Sequence, residues 1–182
     1  MQRDLIKHCR QCGSAVDHRV PDDGDTRERA ICPACGTIHY VNPLLVVGTV
    51  PYLGDQVLLC KRAIEPRHGK WTLPAGFMEM GETMQQGAAR ETAEEAGAEV
   101  MMGPLFSTLS VPRVGQVHVF YLAPMKHGRC VGFGHETQEV RLFTEADIPW
   151  AEIAFTTVRR TLECFFADRR QGRFGMHDVD IA

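Results

Sequence analysis

The pattern of apolar and polar positions changes character near Tyr40-Val41-Asn42-Pro43. Beyond that point Leu44–Leu53 is rich in Leu and Val and predicts a strand. Gly54-Asp55 predicts a turn, with Val57–Cys60 returning as a hairpin partner. Lys61–Lys70 is a polar loop with Pro66 and Gly69, followed by a short strand at Trp71–Leu73 and a Gly-bearing loop at Pro74–Gly81. The next segment, Glu82–Ala96, predicts a helix stopped by Gly97. Strands are expected at Val100–Val111, Gly115–Leu122 and Glu139–Phe143, with a Gly-rich loop at Gly128–Gly134. Phe155, Val158, Leu162, Phe165 and Phe166 recur at helical spacing, so Thr156–Gln171 is an amphipathic helix. The fold class is α/β, with mixed strands and at least two helices.

The length of 182 residues allows one full domain and one small extra unit. Hydrophobic residues at 44% and charged residues at 24% suit a globular chain and argue against disorder. A net charge of −3 gives no polyanion-binding signature, so no nucleic-acid partner is expected. The longest apolar stretch, near Leu44–Val50, is too short to span a bilayer, and no membrane partner is expected. Met1-Gln2-Arg3-Asp4 leads into no apolar signal core, which makes a cytoplasmic setting the expectation.

Seven cysteines change the picture of the first forty residues. Cys9 and Cys12 form one CxxC pair, Cys32 and Cys35 another, and each pair is followed by a glycine, Gly13 or Gly36, where a tight turn needs positive φ. Four thiolates at this spacing predict a closed, structural zinc site in a ribbon spanning residues 1–41. Disulfide or redox use of the same cysteines is the weaker alternative, since nothing points to an oxidising compartment. A unit this small builds little core of its own and takes its stability from the metal. Its acidic and basic residues balance, so it lacks the footprint of a nucleic-acid ribbon. Residues 42–182 are the second domain. Lone Cys60 and Cys164 fall on apolar faces and are expected in the core.

The chemistry concentrates in Gly76–Ala98. Glu91, Glu94 and Glu95 lie at i, i+3 and i+4 and fan over one helix face. They sit in the last turns, where the helix dipole disfavours negative charge, and Glu91–Glu95 is a like-charge pair. A solvated acidic face is one reading. A site for a hard divalent cation, Mg²⁺ or Mn²⁺, is the other, because it relieves the repulsion. Arg90 stands at i,i+4 from Glu94 and holds it.

This segment resembles the signature of the Nudix hydrolase family, G-x5-E-x7-R-E-U-x-E-E-x-G-U, at Gly76, Glu82, Arg90, Glu91, Glu94, Glu95 and Gly97. Seven fixed positions coincide by chance on the order of once in 10⁸ starts. Thr92 and Ala98 occupy the apolar U slots, which predicts looser helix packing there. The lead-in Trp71–Gly76 is similar to the family's strand before the box. A four-Cys ribbon ahead of such a domain resembles the subfamily that includes NADH pyrophosphatases. It is closer to a bacterial and plant-plastid group with FAD and ADP-ribose pyrophosphatase activity. The stretch Phe106–Pro112 lacks the Ser-Gln-Pro-Trp-Pro-Phe-Pro run of NADH pyrophosphatases, and Pro112 falls near a proline of ADP-ribose-type members.

The resemblance implies an α/β/α sandwich around a mixed sheet, often in a homodimer, and hydrolysis of a nucleoside diphosphate linked to another moiety. ADP-ribose or FAD is the expected substrate. NADH, or nucleotide sensing without turnover, is the alternative. Carried over by position, Glu91 and Glu95 are metal ligands, Glu94 a further one, and the Ala75 carbonyl joins them. Glu82 and Arg90 shape the loop and helix by pairing. A later carboxylate, Glu139 with Glu136 as runner-up, serves as ligand or general base. Upstream, Lys61, Arg62, Arg67, His68 and Lys70 form a basic cluster. Arg62, Arg67 and Lys70 are the residues expected to hold the substrate's phosphates, and a solvated loop is the other reading. Phe77, Phe106, Phe120 and Phe133 are candidates for stacking on a base or flavin. His118 reads as a strand-face residue.

Overall fold

A computed structural model describes residues 6–128 and 134–181. The chain divides into two compact units, Met1–Pro43 and Leu44–Ala182. In the first, β1 (Asp17–Arg19), β2 (Arg29–Ile31) and β3 (Ile38–His39) form a three-stranded antiparallel sheet. The two CxxC turns are built alike. Gly13 N donates to Cys9 O and Gly36 N to Cys32 O, both at 2.9 Å, with φ of 76° and 72° at the two glycines.

The second unit is an eight-stranded mixed sheet of β4 (Leu44–Leu53), β5 (Gln56–Arg62), β6 (Trp71–Thr72), β7 (Ala75–Phe77), β8 (Leu105–Val111), β9 (Gln116–Pro124), β10 (Thr137–Phe143) and β11 (His177–Asp180). The main order is β10-β5-β4-β9-β8-β11. The β4–β9 and β8–β11 pairs are parallel. β4 pairs with β5 only at Tyr52–Leu53. Further along, β4 takes β7 as its partner while β5 takes β6. The two long strands therefore part where the segment Trp71–Phe77 enters, and the cleft described below opens there.

Side-chain alternation sorts the sheet into two faces. Val47, Val119 and Tyr121 pack against Ala88 of α1 (Met84–Ala96). Val50, Val57, Leu59, Phe106, Leu109, Phe120 and Leu122 pack with Val158, Leu162 and Phe165 of α2 (Thr156–Gln171). Helix, sheet and helix make the expected α/β/α sandwich.

α1 begins two residues later than expected because Thr83 caps it. Its hydroxyl accepts from Gln86 N, and Gln86 Oε1 accepts from Thr83 N, a reciprocal capping box. The inner face of α1 is Gly87, Ala88, Thr92 and Ala96, residues small enough to draw the helix close to the sheet. The looser packing expected at Thr92 is corrected. Thr92 is fully buried, bonded to Thr49 Oγ1 at 2.6 Å and donating to Ala88 O at 2.7 Å. The strand expected at Val100–Val111 starts only at Leu105, and the segment Ala75–Phe77, read as loop, is strand β7.

Candidate active site: a carboxylate helix against a cleft

Arg90 is the centre of the site. Its Nε and Nη2 donate to the two oxygens of Glu82 at 3.1 and 2.9 Å. Nη1 donates to Glu91 Oε1 at 2.8 Å and Glu94 Oε2 at 3.1 Å, and Nη2 also reaches the Phe77 carbonyl at 3.2 Å. One guanidinium thus ties the loop, β7 and two helix carboxylates together, a geometry only its planar fork provides. Glu82 further accepts from Glu79 N at 2.7 Å, and Arg90 first, then this bond, holds its carboxyl below the usual range.

Glu91 and Glu95 face inward. Glu95 is buried, and its Oε2 accepts from Ala75 N at 3.1 Å. Burial pushes the Glu95 carboxyl up to about 8, and the neighbouring charges of Glu91 and Glu136 add to the shift. Glu91 is also raised, again by burial first, with Arg90 opposing it. The Glu91 carboxylate lies directly against Gly76, so tightly that a Cβ there would collide with it. The box glycine is therefore required by close approach of the carboxylate.

These groups line a cleft of about 880 Å³. Its wall carries Arg62, Glu65, Ala75, Gly76, Phe77, Arg90, Glu91, Glu94, Glu95 and Glu136, and also Val46, Gln116, His118, His135 and Phe155. The oxygen donors suit a hard divalent cation such as Mg²⁺. Among the described residues only the sulfurs of Cys9, Cys12, Cys32 and Cys35 gather as three or more candidate ligand atoms within 4.8 Å of one another. The carboxylates instead leave room for water and phosphate oxygens, the usual way Mg²⁺ is held. For the sulfurs, Cys9–Cys35 at 3.6 Å and Cys12–Cys32 at 3.5 Å approach the edge of about 3.8 Å that a tetrahedron of Zn–S bonds requires.

Several expected residues lie elsewhere. Glu139 is not at the cleft. It pairs in register with Lys61, on the same face as Leu59 and Phe143, which is the α2 face, and its carboxylate lies 4.0 Å from Lys61 Nζ. Glu136, before a bulge that shifts the β10 register, is the carboxylate the fold brings beside Glu91 and Glu95. Arg67 and Lys70 are absent from the cleft wall. Of the three cations named for phosphate, only Arg62 is there, stacked 5.2 Å over Phe155 with its Nε bonded to Pro66 O at 2.8 Å. Lys61 lies over Trp71, and His68 sits 2.8 Å from the Gln138 amide. Phe106 and Phe120 are fully buried core and offer no stacking face, whereas Phe77 is 54% exposed at the cleft. Phe133 and Cys130 lie outside the described residues. Cys60 is buried and Cys164 partly so. His118, read as a strand-face residue, lines the cleft, and burial pushes it down to about 4. The overlooked signal is that Gln116 and His118 are polar positions on the β9 face that continues as core at Phe120 and Leu122.

An α/β/α sandwich with a carboxylate-bearing loop–helix–loop beside a nucleotide-sized cleft defines the class. Residues 43–162 match the NUDIX domain, and residues 7–41 match the zinc-ribbon family described as Nudix N-terminal. The chain belongs to the Nudix hydrolase family. A Nudix hydrolase from Nitrosomonas europaea of known crystal structure is 47% identical, with a TM-score of 0.90 over 97% of this chain and 100% of that one. The NAD-capped RNA hydrolase NudC of Stutzerimonas stutzeri is 30% identical over 172 residues, 92% of this chain. This chain spans 58% of that relative's length. An ADP-ribose pyrophosphatase from Streptococcus suis shares the fold, with a TM-score of 0.61 at 21% identity over 75% of this chain and 99% of its own.

Proposed function

We propose that the chain is a divalent-metal-dependent pyrophosphatase that cleaves a nucleoside diphosphate linked to a second moiety, with ADP-ribose and FAD ahead of NADH. The observation that carries this reading is the convergence of Glu91, Glu94, Glu95 and Glu136 on one nucleotide-sized cleft. Glu91, Glu95 and Glu94 would hold Mg²⁺ or Mn²⁺, with the Ala75 carbonyl at hand. The metal would supply charge neutralisation on the pyrophosphate and a more acidic bound water. Glu82 and Arg90 fix the loop and helix. Arg62 binds a phosphate oxygen, and Glu136 accepts a proton from the attacking water. Phe77 is the exposed ring at the cleft against which a base can stack. The four cysteine thiolates hold a structural zinc, for which their spacing is suited.

A second reading comes from the relatives named NAD-capped RNA hydrolase. On that reading the dinucleotide sits at the end of an RNA, which would set aside the expectation that no nucleic acid is bound. A substrate panel with Mg²⁺ or Mn²⁺ tests both. ADP-ribose, FAD, NADH and an NAD-capped oligonucleotide are incubated with the full chain, and the nucleotide products are separated. Release of AMP from ADP-ribose and FAD is the expected result. A preference for NADH above tenfold, or cleavage of nucleoside triphosphates alone, overturns the substrate assignment. Turnover of the capped oligonucleotide above all others replaces it with the second reading. Binding of nucleotides without any cleavage would indicate a sensing module.

A further inference from the structure

We propose that Gln116 and His118 form the subsite that recognises the adenine ring of the substrate, through the Gln116 amide donor and the His118 Nδ1 acceptor. This rests on the reading of the cleft as a pyrophosphatase site and assigns its end away from the carboxylates.

The argument begins with register. Val46 pairs with Phe77 on one side and with His118 on the other, so Phe77, Val46 and His118 form one row across three strands. Side chains at paired positions share a face, and two strand spacings make the row about 10 Å wide. All three residues line the cleft. Phe77 directly follows Gly76, against which the Glu91 carboxylate lies. A pyrophosphate held at Glu91 therefore places its nucleoside over this floor, which is apolar and aromatic and carries no formal charge.

Gln116 stands two residues before His118, on the same face and just after the β8–β9 turn, beside the row. Its Oε1 lies 3.0 Å from His118 Nε2. With the amide oxygen as acceptor, the imidazole must donate from Nε2, which leaves Nδ1 as an acceptor. Burial pushes His118 down to about 4, so the ring is neutral near pH 7 and offers no charge to a phosphate. Among the described residues, the Gln116 amide nitrogen and His118 Nδ1 make no hydrogen bond of their own. The pair thus offers the cleft one free donor, the Gln116 amide, and one free acceptor, His118 Nδ1, beside the apolar surface of Val46 and Phe77. Adenine carries a complement to each, ring nitrogens that accept and an N6 amino group that donates. Adenosine is also the part that ADP-ribose, FAD and NADH have in common. The subsite would read the shared half, leaving discrimination of the second moiety to the other end of the cleft.

The test is calorimetric binding of AMP, IMP and ribose 5-phosphate to the full chain with Mg²⁺, for the native protein, Gln116→Leu and Gln116→Glu. Gln116→Leu keeps the approximate shape and loses both polar groups. Gln116→Glu keeps the oxygen that accepts from His118 and loses the donor. We expect each variant to weaken AMP at least tenfold, to leave ribose 5-phosphate within twofold, and to keep the native melting temperature. The native protein should favour AMP over IMP. In turnover, KM for ADP-ribose should rise about tenfold with kcat within about threefold, because the contact is made equally in ground and transition states. Equal losses for AMP and ribose 5-phosphate, native AMP affinity in both variants, tighter binding of IMP than AMP by the native protein, or no AMP binding by the native protein would each overturn the subsite. If the native chain cleaves no dinucleotide yet AMP binding depends on Gln116, the pyrophosphatase reading fails and the subsite stands. If cleavage proceeds and Gln116 is silent, the reverse holds.

Discussion

Replacing Glu95 with Gln should make the metal-free protein more stable and the enzyme nearly inactive. Glu95 is 8% exposed, and burial raises its carboxyl from 4.5 to about 8. The sign follows from linkage. A carboxyl raised on folding stays protonated in the folded chain while the unfolded chain ionises, so stability falls as pH climbs from about 4.5 towards 8. Taken literally, a shift of that size corresponds to about 4–5 kcal/mol. Relaxation and water entry reduce such penalties, so we expect about 2–3 kcal/mol at pH 8 and about zero at pH 5. Gln retains an oxygen for the Ala75 amide, which donates to Glu95 at 3.1 Å, and carries no charge at any pH. The assay is urea unfolding of EDTA-treated protein from pH 5 to 8.5. The difference between variant and native chain isolates Glu95 from other titrating groups. Turnover with Mg²⁺ should fall on the order of 10²–10³-fold, because the same charge would anchor the cation that stabilises the transition state. A variant with the native pH slope, a variant less stable at pH 8, or one with near-native turnover would refute the reasoning.

Gly76→Ala should lower turnover on the order of 10²-fold with little change in melting temperature. The added methyl meets the Glu91 carboxylate first, at the end of a flexible side chain, which moves aside and leaves its working position. Glu136→Gln should lower kcat on the order of 10²-fold, whereas Glu139→Gln should leave it near native. Glu136 faces the carboxylates, and Glu139, itself half-exposed, faces Lys61 on the other side of the sheet. Comparable losses in both variants would contradict the placement. Elemental analysis of protein purified without added metal should find about one zinc per chain, and Cys32→Ser should abolish it together with the hydrogen-exchange protection of β1–β3. Zinc-free protein with native protection would overturn the ribbon assignment.

Features set by short-range spacing were the legible ones. α2 spans Thr156–Gln171, as its apolar period implies, and ends at Gly172 in the left-handed region. The Cys pairs and the helix carboxylates declare themselves within a few residues. β7 did not, because three residues show no alternation and its partner, Val46–Gly48, lies some thirty positions earlier. β11 was missed for a related reason. His177–Asp180 is polar, and it is a strand only through parallel pairing with Ser107–Ser110. The far wall of the site fails the same way. Glu136 against Glu139 turns on a bulge and on which face the strand presents. Gln116, His118 and Phe155 come to share a cleft wall with the α1 carboxylates only through the tertiary fold.

The site stores its own instability. α1 carries Glu91, Glu94 and Glu95 in its last turns with no basic residue there to compensate, and two of the three carboxyls are raised by burial. A solvated acidic face would show neither burial nor the fivefold bonding of Arg90. Arg90 does not neutralise the cluster. It engages both oxygens of Glu82 and one oxygen each of Glu91 and Glu94, so the other oxygen of each remains available, and it makes no bond to Glu95. The most buried carboxyl is therefore one that Arg90 does not bond, with Arg62 the cation whose charge favours its ionised form. In a core of small residues that brings the helix against β7, burial keeps that carboxyl protonated in the metal-free chain, and a cation arriving from the cleft would let it ionise. The features that make the metal-free helix costly are thus also those that would give the proposed site its affinity for a hard cation and the phosphates that accompany it.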